Sequence, residues 1–141
     1  MKAEDLMVGD WVLYTGNGEP NPRKVIEITM LNQVGLSDGN EWIIVGEKYI
    51  QPIQLTEEIL KKNGFKTDGK NLILHYMDNI HESALYLSEM YMADPPGYVT
   101  GTPNLLMEER PCNIDVFGVI HYVHDLQHLY KFRKIKNDIV L

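Results

Sequence analysis

Cysteine is almost absent from this chain, and long apolar runs are absent altogether. Cys112 is the single cysteine among 141 residues, so no disulfide can form within the chain and no cysteine-rich zinc site can be assembled. No stretch approaches the roughly 18 consecutive apolar residues of a transmembrane helix, and the first residues carry no apolar signal-peptide core. We therefore expect a cytoplasmic protein that does not cross a membrane.

Positive charge is also scarce. The 13 Lys and Arg residues stand against 20 Asp and Glu residues, which gives a net charge of −7. A negative surface repels phosphate backbones, so general nucleic-acid binding is disfavoured. The basic run at residues 131–136 (KFRKIK) is typical of solvated charged surface. Hydrophobic residues nevertheless make up 44% of the chain, as in ordinary folded domains, so we expect one domain or two very small ones.

The first part of the chain, residues 1–55, has the pattern of short strands and turns. Within residues 23–31, Val25, Glu27 and Thr29 alternate with the apolar Ile26, Ile28 and Met30, which is typical of a strand. Asp38-Gly39 between two apolar runs is a strong hairpin signal. The pattern predicts a strongly bent antiparallel sheet over residues 10–53, without a helix. The apolar residues expected inside it are Val12, Ile26, Ile28 and Ile44. We therefore predict an SH3-like small β-barrel over residues 1–55.

The second part, residues 56–141, predicts a small α+β unit with mostly antiparallel strands and two short helices. Thr56 is a good N-cap residue, and Gly64 lies where a left-handed residue often ends a helix, so the first helix should end near Asn63. The second helix should run from about Val123 to about Phe132. The sequence leaves open whether this part packs on the first as a separate domain or continues it as one domain.

Residues 64–71 (GFKTDGKN) nearly match the phosphate-binding P-loop, G-x-x-x-x-G-K-[ST]. Asn71 stands where the Ser or Thr that binds magnesium belongs. The predicted helix also precedes the motif instead of following it, so no helix N-terminus is placed to hold a phosphate. We therefore expect a turn at Asp68-Gly69, a strand from Leu72, no nucleotide and no other cofactor.

Three histidines lie close together in the stretch HYVHDLQHLY. On a helix, His121, His124 and His128 share one face, and Leu126 and Leu129 lie on another. Only His124 and His128, four residues apart, could bind one metal ion together, and no second cluster is visible to complete its coordination. We therefore predict no metal site, with the histidines at the surface or boundary of the fold and the two leucines buried.

Aromatic residues supply the remaining candidates for a binding site, since no catalytic arrangement is recognisable. Trp11 and Trp42 in the barrel-like part could line a groove for an extended peptide. A pocket closed by a long proline-rich loop at residues 93–113 would instead be lined by tyrosines. Those tyrosines are Tyr76, Tyr86, Tyr91 and Tyr98. The favoured function is a non-enzymatic binding or accessory module for a protein or peptide, and the alternative is a small ligand-binding protein or enzyme with that pocket.

Three stretches of the sequence carry a family resemblance. DLMVGDWVLYTG at residues 5–16, YIQPIQLTEEILKKNGF at 49–65 and YVHDLQHLY at 122–130 together resemble an uncharacterised family of short proteins from Bacteroidetes gut bacteria and their phages and mobile elements. Residues 66–112 carry no such resemblance. It implies a phage- or mobile-element-related setting and no particular chemistry. The opening is also similar to SH3-like small barrels, which serve as binding modules, although a fold does not fix a function.

Overall fold

The computed structural model describes residues 1–69, 71–78, 80–90, 95–102 and 113–141. The chain divides into two compact units, Met1–Gln54 and Leu55–Leu141, called here unit 1 and unit 2. The described residues form two five-stranded antiparallel sheets and two short α-helices, so the fold is α+β. Neither of these helices has the length and apolar run that crossing a membrane would require.

Unit 1 is a five-stranded antiparallel sheet. Its strands are β1 (Trp11–Tyr14), β2 (Asn21–Ile28), β3 (Gln33–Ser37), β4 (Trp42–Gly46) and β5 (Ile50–Gln51). Consecutive strands pair up to β4, and β5 returns to pair with β1, which gives the order β4-β3-β2-β1-β5. One turn of 3-10 helix, Glu47–Tyr49, joins β4 to β5 where no helix was predicted. The pairings among the described strands leave β4 and β5 at opposite edges and close no ring.

The hairpin predicted at Asp38-Gly39 is confirmed. The Asp38 N–H donates to the Glu41 carbonyl at 3.2 Å, and the Asp38 carboxylate accepts the N–H groups of Asn40 and Glu41, each at 2.9 Å. These two bonds, with a smaller effect of the Arg23 charge, hold the pKa of Asp38 below its usual value. Gly39 has a φ of +99°, a conformation that glycine adopts without strain.

Only one of the four residues predicted inside the sheet of unit 1 is buried. Val12 is fully buried, whereas Ile26, Ile28 and Ile44 are 41%, 36% and 46% exposed, so the prediction is wrong for these three. For Ile26 and Ile44 the reason is the two-residue period of a strand, since their neighbours Val25 and Val45 point inward. Ile28 is opposite the buried Val34, on the inward side, and is exposed at the end of β2. The inward positions are taken instead by the core residues Ala3, Leu6, Val12, Val25, Val34, Leu36, Val45 and Ile50.

Unit 2 combines the second sheet with both helices. Its elements are α1 (Glu57–Lys62), β6 (Lys66–Asp68), β7 (Asn71–Asp78), β8 (His81–Met90), β9 (Gly97–Thr102), β10 (Asn113–Ile120) and α2 (Val123–Phe132). The sheet order is β10-β9-β8-β7-β6, so every strand pairs with its neighbours in sequence. The helix predicted to end near Asn63 and the strand predicted from Leu72 are confirmed, the strand beginning one residue earlier.

The long loop predicted at residues 93–113 is wrong in part. Residues Gly97–Thr102 form strand β9, which pairs with β8, and the aromatic and β-branched residues Tyr98, Val99 and Thr100 suit a strand. Residues 93–94 and 103–112 of the predicted loop lie outside the described residues. The sequence did not indicate this strand because it lies between prolines, which are typical of loops.

The two helices of unit 2 end in the same hydrogen-bonding pattern. After α1, the Phe65 N–H donates to the Leu60 carbonyl, and Gly64 has a φ of +90°. After α2, the Ile135 N–H donates to the Tyr130 carbonyl, and Lys134 has a φ of +57°. Both ends therefore form the Schellman arrangement, once with glycine at the left-handed position and once with lysine.

Candidate functional site

The two tryptophans proposed from the sequence lie in one row across the sheet of unit 1. Trp11 is opposite Lys24, Lys24 is opposite Ser37, and Ser37 is opposite Trp42. Directly opposite residues in antiparallel strands point to the same face, so the row places both rings on one side of the sheet, about 14 Å apart over three strand spacings. Trp42 is 62% exposed, and Trp11 is half-buried.

The neighbouring row is apolar and has a glycine at its centre. Gly35 of β3 is opposite Ile44 of β4. A register shift between Val25 and Glu27 brings both Ile26 and Glu27 to the same side of β2. A Cβ atom on Gly35 would lie 3.4 Å from Ile26 Cγ1 and 3.1 Å from Glu27 Cβ. The glycine therefore keeps a shallow depression open between the side chains of β2 and those of β4.

We call this surface the outer face. Its residues are Trp11, Lys24, Ile26, Glu27, Gly35, Ser37, Trp42 and Ile44. Sequence reasoning named only the two tryptophans. The register of the paired strands decides which other residues lie on this face. Two features of the sequence could have indicated them: a glycine within an apolar strand, and the positions next to residues that point inward.

Charge on the outer face is arranged unevenly. The Lys24 ammonium lies 5.1 Å from the centre of the Trp11 ring, a cation–π contact that turns this positive charge toward the Trp11 end of the row. Glu27, on the same strand as Lys24, is exposed. Among the described residues, no Lys, Arg or His forms an ion pair with its carboxylate. The two charged residues of the outer face, one of each sign, therefore both lie on β2.

A buried arginine holds the hairpin that carries Trp42. Arg23 points to the inner side of β2, where its guanidinium lies 5.1 Å from the centre of the Tyr14 ring. Its Nε donates to the Asn21 side chain at 3.0 Å, and its Nη2 lies 3.6 Å from the Asp38 carboxylate. The arginine thus ties β2 to the turn between β3 and β4, which fixes the start of β4.

The histidines of unit 2 are placed differently from the prediction. His124 is only 6% exposed, so the expectation of a surface or boundary position is wrong for this residue, whereas His128 is partly exposed as predicted. The reason is aromatic packing. The His124 ring stacks on Tyr122 at 5.6 Å and meets the edge of the His128 ring at 5.7 Å. In the part of the chain that the structure describes, no group of three or more His, Cys, Asp or Glu residues is placed to hold a metal ion.

The described tyrosines proposed for the alternative pocket lie on three neighbouring strands of unit 2, Tyr76 on β7, Tyr86 on β8 and Tyr98 on β9. Tyr98 lies in the core of unit 2, and burial, with a smaller effect of the nearby Glu89 charge, raises the pKa of its hydroxyl. The Tyr76 hydroxyl accepts a hydrogen bond from Arg133 at 3.5 Å. Tyr91 and most of the predicted closing loop lie outside the described residues. Tyr98 therefore packs in the core and presents little surface to a ligand.

Comparisons with protein-family models, with curated proteins and with solved structures found no match to this chain. The resemblance to the family from Bacteroidetes bacteria and their phages therefore stays a prediction.

Proposed function

We propose that unit 1 is an SH3-like small barrel that acts as a non-enzymatic binding module, and that its outer face binds an extended segment of another protein. The observation that carries this proposal is the row from Trp11 to Trp42, which ends in a tryptophan that is 62% exposed. The family resemblance adds a phage- or mobile-element-related accessory role to the proposal.

The order of the strands supports the SH3-like part of the proposal. Four consecutive strands pair as a meander, and the fifth pairs with the first. The register shift in β2 is the kind of irregularity that bends a strand and lets a small sheet curl on itself. The turn of 3-10 helix before β5 changes the direction of the chain within three residues.

The composition of the outer face supports binding over catalysis. It offers two aromatic rings, two isoleucines and a glycine depression, with one lysine, one glutamate and one serine between them. Tryptophan is the residue most often found at the energetic centre of protein interfaces. Clustered apolar residues on a surface also cost solubility, so a contiguous patch of them is typical of an interaction site.

The proposal is tested by selecting random linear peptides, displayed on phage, for binding to the immobilised full-length chain. The selected peptides should change the tryptophan fluorescence of the protein. Trp42→Ala should weaken their binding at least about tenfold, which is about 1.4 kcal/mol, because the ring supplies the largest contact area. Its thermal unfolding should stay close to that of the wild type, since the side chain is mostly exposed.

A matched control is Leu31→Ala, which removes another exposed apolar side chain of unit 1 at the turn between β2 and β3. Its peptide affinity should equal that of the wild type. Two results would contradict the proposal: a selection that yields no peptide, or selected peptides that bind the folded Trp42→Ala variant as tightly as the wild type.

A further inference from the structure

Four of the described strands lie at sheet edges, and three of them carry features that hinder pairing with another chain. Strand β5 has two residues, β6 has the sequence KTD with an exposed lysine, and the register of β10 with β9 shifts between Ile114 and Val119. Short length, charged side chains and irregular register are usual protections of an exposed edge. Strand β4 has none of them: its five residues, WIIVG, include no charge and no proline, and its register with β3 is regular.

The backbone groups of β4 alternate between the two sides of the strand. The Asp38 N–H donates to the Glu41 carbonyl, which makes these two residues a hydrogen-bonded pair. Hydrogen-bonded and non-hydrogen-bonded pairs alternate along antiparallel strands, so Ile43 and Val45 also bond to β3. No strand of the described residues pairs with the other side of β4. The N–H and C=O groups that point to this open side belong to Trp42, Ile44 and Gly46.

The sequence of β4 is complementary to itself when two copies run antiparallel with Ile44 opposite Ile44. Trp42 of each copy then lies opposite Gly46 of the other, and Ile43 lies opposite Val45. A Cβ built on Gly46 meets no atom within 4 Å, so the indole of the other copy has room beside this glycine. On the opposite side of the strand, Val45 belongs to the core of unit 1 and Ile43 packs against it. Every pair in this register is therefore apolar on both sides of the sheet.

The same register uses the backbone groups at the open side of β4. Trp42 with Gly46, and Ile44 with its own copy, become hydrogen-bonded pairs, and each pair exchanges both of its N–H···O=C bonds. Opposite residues point to the same side, so the row of Gly35 and Ile44 continues into Ile44 and Gly35 of the second copy. The exposed side chains of Trp42 and Ile44 lose contact with water in this arrangement, which favours association.

The acidic residues of the chain lie outside the paired segment. The net charge of −7 opposes self-association wherever carboxylates of two copies meet. Strand β4 contains none and ends at Gly46. The next residue, Glu47, begins the turn of 3-10 helix, and its carboxylate accepts the Ala3 N–H of its own chain at 2.7 Å. A second copy is therefore an occupant that matches this edge in sequence, hydrogen bonding and charge.

We propose that two copies of the chain pair through β4, antiparallel and with Ile44 opposite Ile44, so that the sheets of unit 1 in the two copies become one continuous sheet. The inference goes beyond the proposed function, because it concerns the edge of the sheet and does not require a peptide on the outer face. Trp42 of each copy would cover Gly46 of the other.

The oligomeric state of the full-length chain tests the proposal. In sedimentation equilibrium, the mass of the wild type should rise from 16.3 kDa toward twice that value as the protein concentration is raised. Ile44→Lys and Ile44→Glu should each sediment as monomers, because each places like charges opposite one another at the centre of the interface. Circular dichroism should show that both variants are folded, since the side chain of Ile44 is nearly half in water.

An equimolar mixture of the two variants identifies the register. Lys opposite Glu is a favourable cross-strand pair, so the mixture should form a dimer although neither variant does so alone. Ile26→Lys is the matched control. Ile26 is exposed to a similar extent on the same face, but it lies on the central strand β2. This variant should dimerise as the wild type does.

Three results would overturn the inference. The first is a wild type that stays monomeric at every concentration, which would leave the edge of β4 to another protein. The second is a dimer that neither substitution of Ile44 dissociates, and the third is a mixture of the two variants that remains monomeric. The proposed function is scored separately, by the affinity of selected peptides for Trp42→Ala, so its failure and the failure of this inference are distinguishable.

Discussion

The two units use their apolar side chains in different ways. In unit 2, the apolar side of α2 is turned inward, and Leu126 and Leu129 are fully buried. In unit 1, apolar residues occupy both faces of the sheet, so Val45 is buried while its neighbour Ile44 is 46% exposed. The apolar residues of α2 therefore contribute to the stability of unit 2. In unit 1, the apolar residues that the core does not bury lie on the surface that we propose to bind a partner.

The largest expected effect comes from the direct comparison of the two units. Leu126→Ala should lower the free energy of unfolding by about 2–5 kcal/mol if it leaves a cavity. Ile44→Ala removes a side chain of similar size and should cost well under half as much, because its side chain is already half in water. Denaturant unfolding of both variants, followed by circular dichroism, measures the difference. Equal losses would show that Ile44 packs in the fold and would remove it from the outer face.

A smaller effect is expected from a hydroxyl buried inside unit 2. The Tyr130 hydroxyl is buried and has no hydrogen-bond partner in the part of the chain that the structure describes. Burial raises its pKa. An unsatisfied buried hydroxyl costs about 1–3 kcal/mol, so Tyr130→Phe should not destabilise the protein and should raise its free energy of unfolding by up to about 1 kcal/mol.

The same substitution has a pH dependence with a defined sign. Where the folded pKa lies above the unfolded one, the unfolded state loses its proton first as the pH rises, so the folded state loses stability above the ordinary tyrosine pKa of 10.0. Wild type should therefore destabilise more steeply than Tyr130→Phe above that pH. Parallel curves of unfolding free energy against pH would show that Tyr130 reaches water or a partner in the folded state.

The smallest effect on the free energy of unfolding is expected for a substitution just after α2. The equivalent position just after α1 serves as the reference. Lys134 has a φ of +57° at the position that Gly64 occupies after α1. A residue with a Cβ is strained there, so Lys134→Gly should stabilise the protein by about 0.5–1 kcal/mol, whereas Gly64→Ala should destabilise it by a similar amount. Thermal unfolding of the two variants makes the comparison. Destabilisation by Lys134→Gly would indicate that the lysine side chain makes a contact worth more than the strain.

Local signals predicted much of the fold. The span predicted for α2, Val123–Phe132, agrees with the structure. Apolar residues at helical spacing form a stripe along one side of a helix, and that side packs inward. The N-cap at Thr56, whose hydroxyl accepts the Ile59 N–H at 3.3 Å, was equally readable. The hairpin at Asp38-Gly39 followed from turn chemistry that involves only adjacent residues.

The predictions that failed have different physical causes. The strand β9 was hidden among prolines, and the burial of His124 depends on ring contacts with Tyr122 and His128 that helical geometry alone did not reveal. Trp42 could be named as a candidate from its residue type. Its companions on the outer face could not, because the register of β2 against β3 contains a shift that no local pattern announces.

The sequence by itself determined where the helices begin and end, where the first sheet turns, and that the chain is acidic with a single cysteine. These features depend on neighbouring residues or on composition. Only the tertiary structure decided which isoleucines of unit 1 face water, which residues stand beside Trp42, and that β4 lies at an edge. The physical reason is that some strands carry apolar residues at both odd and even positions. The sequence of such a strand does not show which of its sides faces the core, and only the register with the neighbouring strands decides it.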